Sequence, residues 1–260
     1  RIAELYRHLE NDWLERAISN PDRANRQRLR PEMRDPCTIM SGRVALEMTM
    51  ASAINEREQS EQLELDLEHV KDFLTDPQQL GEWRSESNFE SLFGNSCLIE
   101  KPYQLDTEIQ PFIDHGLVTV TSGRLQFVHH SFTYYFAGTA LRYHGGPRKP
   151  QRVGHLWAES VARILLINAS VWKVPAGFLG GVLRVDELLS LVGELFVQMP
   201  NDLRAIGGFD LVRALLWGNG DAVRQHPILS GIQRFMVRER HRLALDHARM
   251  IQELFNELAT

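Results

Sequence analysis

Cysteine is scarce here: Cys37 and Cys97 are the only two in 260 residues. Two thiols cannot form a disulfide framework in a chain of this size, and no Cys-x-x-Cys pair exists, so a reducing, cytoplasmic setting is expected. Long apolar runs are missing as well. The apolar, uncharged stretch Ile164–Val171 is far short of the roughly 20 residues that a bilayer-crossing helix needs. No membrane span is expected. The opening RIAELYRHLENDWLERA places acids inside an amphipathic pattern, so it is no secretory signal, and a first residue of Arg rather than Met suggests a fragment. A strong charge of either sign is lacking too. The net charge is −5, which gives no general drive towards nucleic acid or an anionic membrane.

The patterns of complete catalytic sites are also absent. Ten histidines invite a metal, and His115, His129, His130 and His144 are the closest group, but no His-Glu-x-x-His or Cys/His ligand spacing appears. No metal site and no catalytic residue is therefore expected. Ser131 beside His130 lacks the Gly-x-Ser-x-Gly elbow of a nucleophile. Gly177, Gly180 and Gly181 make no dinucleotide fingerprint, and Ala176-Gly177-Phe178 reads as a turn between helices. The phosphate-cradling Gly-x-x-x-x-Gly-Lys-Ser/Thr run occurs nowhere.

What the sequence does have is helical periodicity. With 43% hydrophobic residues the chain can fill a sizeable core. Leu5, Leu9, Trp13 and Ala17, flanked by Tyr6, Leu14 and Ile18, form an apolar stripe that predicts a helix over 2–19. Asn20-Pro21 ends it, and residues 21–37, Arg-rich and broken by Pro31 and Pro36, read as a loop. A second helix is expected over about 40–55 with Val44, Met48, Ala51 and Ile54 inward. A third, over about 60–75, sets Leu63, Leu67, Val70 and Leu74 against a run of acids. Then the pattern changes. Phe89, Leu92 and Phe93 suggest a short helix, and Asp106 can cap another that Gly116 ends. Two β-favouring runs, 117–120 and 124–128, flank Thr121-Ser122-Gly123 and read as a hairpin, and a helix over roughly 130–143 closes the unit. Helix, helix, hairpin, helix is the pattern of a winged helix. Beyond Gly145-Gly146-Pro147 and Pro150 the chain reads as all-α, with helices near 154–170, 183–199, 208–217, 228–238 and 240–258. The expected fold is mainly α: a helical domain over 1–85, a winged helix with a small β-hairpin over 86–145, and an all-α region over 146–260.

One segment carries more. Residues 127–138 read Phe-Val-His-His-Ser-Phe-Thr-Tyr-Tyr-Phe-Ala-Gly. This resembles the Phe-x-His-x-Ser-Phe-Gln-Glu-Tyr/Phe-Leu/Phe-Ala-Ala signature that closes the winged-helix domain of NACHT-type proteins, in the STAND class of signalling NTPases. Phe127, His129, Ser131, Phe132, Tyr135, Phe136 and Ala137 match, whereas Thr133 and Tyr134 replace the Gln-Glu pair and Gly138 the second Ala. Phe112-Ile113-Asp114-His115-Gly116-Leu117-Val118 resembles the family's approach to that hairpin. The resemblance covers residues 1–143, with its specific matches in 112–138.

It implies a regulatory part of a nucleotide-driven switch in antiphage or innate defence. His129 would contact a phosphate of ADP or ATP, with Mg²⁺, held mainly by an upstream NTPase core of the same polypeptide that this sequence does not contain. A homo-oligomer would form on activation, and the C-terminal helices would meet an unknown protein or ligand trigger. A strand end feeding a helix start suits that role, since helix N–H donors and the positive dipole end favour an anion. Three competing readings stay open here: His129 as a packed core histidine with a backbone partner, the whole chain as a helical protein-interaction scaffold, and a DNA-binding winged-helix regulator. Against the last, Asp106–Gly116 carries three acids and no base, where a reading helix needs Arg or Lys.

Overall fold

Three short strands are the only β structure among the described residues of the computed structural model; the remaining elements are helices. The structure describes residues 2–19, 34–54, 63–75, 113, 117–143, 155–199 and 204–220, with single positions at 230, 249, 253 and 256. The helix expected at Phe89–Phe93, and nearly all of those expected over Asp106–Gly116, 228–238 and 240–258, fall outside these residues. So does most of the loop expected over 21–37. Two compact units divide the chain, residues 4–149 and residues 150–260, with residues 1–3 grouped with the second.

In the first unit, α1 (Ile2–Ser19) forms as the periodicity predicts. Of the expected stripe, Leu14 is buried, but Leu5 and Leu9 are exposed and Glu10 is buried instead. The carboxylate is tolerated because donors reach it. Thr38 donates its hydroxyl to Glu10 Oε1 at 2.5 Å, and the Tyr135 hydroxyl donates to Glu10 Oε2 at 2.8 Å. Helix α2 (Arg34–Ile54) starts earlier than expected and takes in Pro36. Proline fits there because N–H groups of the first turn have no intrahelical partner. Every residue from 41 to 50 is buried, Arg43 and Glu47 included, whereas Ile54, expected inward, is exposed.

The helix expected over 60–75 is in fact a strand and a helix: β1 (Glu64–Asp66) runs directly into α3 (Leu67–Thr75). Asp66 makes the switch. Its carboxylate accepts the N–H of Glu68 at 2.9 Å and of His69 at 3.3 Å, capping α3. Strand pairing supplies the rest. β2 (Val118–Thr121) and β3 (Arg124–Phe127) form the expected hairpin, with Val118 opposite Phe127 and Thr121 opposite Arg124. Ser122 and Gly123 both have positive φ, 53° and 78°, as a tight two-residue hairpin turn requires. β1 pairs antiparallel with β3, Leu65 opposite Leu125, so the sheet order is β1-β3-β2. An Arg124–Glu64 ion pair at 2.8 Å spans the same two strands. The sheet thus draws strands from both sides of the boundary expected at residue 85.

Helix α4 (His130–Tyr143) closes the unit at its expected limits. Tyr135, Phe136, Ala137, Ala140 and Leu141 are buried, and Phe136 stacks on Phe127 with ring centroids 5.6 Å apart. The helix lies close against α2: a Cβ added at Gly42 would sit 3.2 Å from that of Ala140.

The second unit contains α5 (His155–Ile167), α6 (Ala169–Val182), α7 (Val185–Gln198) and α8 (Arg204–Asn219). The single helix expected over 154–170 is broken at Asn168, whose backbone is extended (φ −150°, ψ 91°). The turn expected at Ala176-Gly177-Phe178 lies inside α6, one residue past Pro175. Its glycines serve a helix crossing instead. A Cβ on Gly180 would sit 2.0 Å from the Leu215 carbonyl oxygen, and one on Gly218 would sit 1.8 Å from that of Gly177. Lys173 pairs with Asp210 at one end of the crossing at 3.2 Å. At the other end Asn219 Nδ2 donates to the carbonyls of Gly180 (2.7 Å) and Leu183 (3.0 Å), so α6 and α8 run in the same direction. In α7 the expected inward set, Leu188, Leu191, Val192, Leu195 and Phe196, is buried, and Glu187 caps the start by accepting the Arg184 N–H at 2.8 Å.

Candidate functional site: the junction of hairpin and helix

The junction between β3 and α4 is pinned on the sheet side, where Val128 N–H donates to the Leu117 carbonyl at 3.0 Å. Two residues later the chain turns into the helix, and the Phe132 N–H donates to the His129 carbonyl at 2.9 Å. His129 therefore occupies the position just before α4, and its side chain is exposed. This corrects the core-histidine reading. The ring does have a local partner: Nδ1 accepts the backbone N–H of Ser131 at 3.2 Å and is in contact with the Ser131 hydroxyl. An imidazole thus caps the helix in the way an Asn or Ser oxygen commonly does, satisfying one of the donors that the first turn leaves over.

His130 was expected to face away into solvent. It is exposed, but it stacks on His129 with centroids 4.5 Å apart and an interplanar angle of 27°, and Tyr134 meets it edge-on at 5.9 Å. The two imidazoles and the phenol form a row beginning at the positive end of the α4 dipole. On the opposite side of the helix the motif's aromatic residues pack inward. Tyr135 and Phe136 are buried and Phe132 is half-buried against Tyr6, whose ring lies 5.4 Å away in an edge-to-face contact. Thr133, in the place of the Gln of the resembled pattern, is buried, and its hydroxyl has no hydrogen-bond partner among the described residues.

The motif thus divides into an outer face carrying His129 and an inner face that holds α4 in place. His115 and His144, the remaining members of the histidine group, lie outside the described residues. Among the described residues no group of three or more His, Cys, Asp or Glu could hold a metal ion, and no helix is long and apolar enough to cross a membrane.

No family model, curated protein or solved structure matches this chain.

Sequence reasoning missed Glu10. Its two donors come from Thr38, 28 residues away, and Tyr135, 125 residues away. No local pattern announces such a cluster; the only hint is a glutamate between Tyr6 and Leu14 on one helical face.

Proposed function

We propose that this chain is the regulatory portion of a NACHT-like, nucleotide-dependent signalling switch, acting in the cytoplasm in defence. In this reading the NTPase core of a longer polypeptide binds ADP or ATP with Mg²⁺, and His129 reaches the nucleotide's phosphates. The nucleotide state then sets the balance between a closed form and one that self-associates, and the helices after residue 150 meet the trigger.

The observation that carries the reading is the placement of His129. The ring is exposed at a helix start, with Nδ1 committed to Ser131. In this reading Nε2 donates to the phosphate, beside the dipole end that favours an anion. The strand order adds support. A hairpin whose second strand also pairs with a strand placed between two helices is the arrangement of a winged helix, the domain in which the resembled signature occurs.

A nucleotide can favour the closed form only by as much as its affinity differs between the two forms. One charge-assisted hydrogen bond contributes about 1.5–3 kcal/mol, so its loss shifts the balance about tenfold to a hundredfold. The test is ADP titration of a longer polypeptide that includes the phosphate-loop core, with and without His129→Ala. Affinity is expected to fall by that factor, with more oligomer at equal concentration. Equal ADP affinity in the two proteins would remove the proposal.

A further inference from the structure

We infer that Ser131 is a positioning residue for His129: through both its backbone N–H and its hydroxyl it holds Nδ1 as an acceptor, so that the ring's proton sits on Nε2 and faces outward. The inference rests on the nucleotide proposal for its purpose, but not for its geometry.

A neutral imidazole has one N–H and one bare nitrogen, and nothing intrinsic forces a choice between them strongly. Here the choice is made locally. A backbone N–H can only donate, and that of Ser131 lies 3.2 Å from Nδ1. A proton on Nδ1 would set two N–H groups against each other. The Ser131 hydroxyl is in contact with the same nitrogen, and as a rotatable donor it can share the single lone pair that the bare-Nδ1 form offers. Ser131 is the second residue of α4, so its N–H belongs to the first turn and is not needed for the helix ladder. His130, stacked at 4.5 Å, limits rotation of the ring about its own bond. A ring held in one tautomer and one orientation meets a phosphate oxygen with a donor already aimed. A ring free to exchange tautomers presents a bare nitrogen part of the time, which repels an anion.

The test uses the 260-residue chain, labelled with ¹⁵N. Imidazole nitrogen signals are recorded at about pH 8, where an ordinary histidine is neutral. His129 is expected to show a bare, hydrogen-bonded Nδ1 and a protonated Nε2. Ser131→Ala keeps the backbone donor and loses the hydroxyl, so its spectrum should move towards a mixture of tautomers, and Ser131→Thr should move it back. A protonated Nδ1 in the unaltered chain, or an unchanged His129 signal in Ser131→Ala, overturns the inference. Circular dichroism of each variant confirms that the helices are intact.

A second arm measures ADP affinity in the longer polypeptide. Ser131→Ala should weaken it about threefold to tenfold, the contribution of one ordinary hydrogen bond, and Ser131→Thr should restore it. If His129→Ala weakens ADP binding while Ser131→Ala matches the unaltered protein in both arms, the inference fails and the nucleotide proposal stands. If the tautomer responds to Ser131 as expected while His129→Ala leaves ADP binding unchanged, Ser131 retains its positioning role and the nucleotide proposal fails.

Discussion

Where α6 crosses α8, glycines let backbone meet backbone; where α1 meets α4, a buried carboxylate and a phenol meet instead. The crossing depends on the absence of side chains. A Cβ on Gly180 or Gly218 would run into the backbone of the facing helix, whereas one on Gly177 would make only an ordinary contact, 3.7 Å from the Ala214 carbonyl oxygen. The α1–α4 contact depends on specific polar atoms, Glu10 Oε2 accepting from the Tyr135 hydroxyl, with Tyr6 beside Tyr135 at 5.6 Å. A contact of the first kind has no room for additional volume. One of the second kind tolerates changes of shape but not the loss of a partner.

The largest expected effect tests the first kind. In an exposed helix, alanine is better than glycine by about 1 kcal/mol. In Gly180→Ala the new Cβ would meet the Leu215 carbonyl oxygen at 2.0 Å, and backbone cannot give way as a side chain can. A loss of more than about 3 kcal/mol is expected, read from the urea unfolding midpoint. A gain in stability would mean that the helices do not approach so closely.

Tyr135→Phe tests the second kind and should have a smaller effect. It removes the donor to Glu10 Oε2 without changing the ring, leaving a buried carboxylate short of a partner. The expected loss is about 1–3 kcal/mol. Adding Glu10→Gln should change that loss markedly, because residues in one hydrogen bond are not additive; strict additivity would argue against the pairing.

Gly42→Ala should have the smallest effect and sharpens the contrast. Its Cβ would be tight only against the Ala140 methyl, at 3.2 Å, with the Phe136 carbonyl oxygen at an ordinary 3.8 Å. Improved helix propensity and slight crowding nearly cancel, so the change should stay within about 1 kcal/mol in either direction. A loss comparable to that of Gly180→Ala would show that α2 and α4 also depend on bare backbone, and the difference between the two units would disappear.

Periodicity accounts for what the sequence made legible. The inward set of α7 and the limits of α4 could be read because apolar residues recur there at helical spacing between clear turn signals. The hairpin could be read because Ser122-Gly123 suits left-handed backbone. Failures occurred where one residue type serves two ends. Gly177 looks like a turn former, and only the partner helix, residues 204–219, reveals that it lies inside a helix crossing where Gly180 packs against backbone. Residues 64–66 lie within a helical pattern and become a strand because β3 offers a free edge 60 residues further on. At the candidate site the sequence pointed to His129, but not to its partner. That Ser131 engages the ring follows from the backbone turn between them, which no spacing rule specifies.

The pairing of β1 with β3 has a practical consequence for dissecting this protein. A fragment begun at residue 86, the apparent start of a winged helix, would lose Leu65 and its neighbours and leave the N–H and C=O groups along one side of β3 without their ladder. Bare strand edges of this kind recruit other chains. Such a piece would self-associate for reasons unrelated to signalling, and only a fragment reaching back through α2 could be trusted to report on assembly.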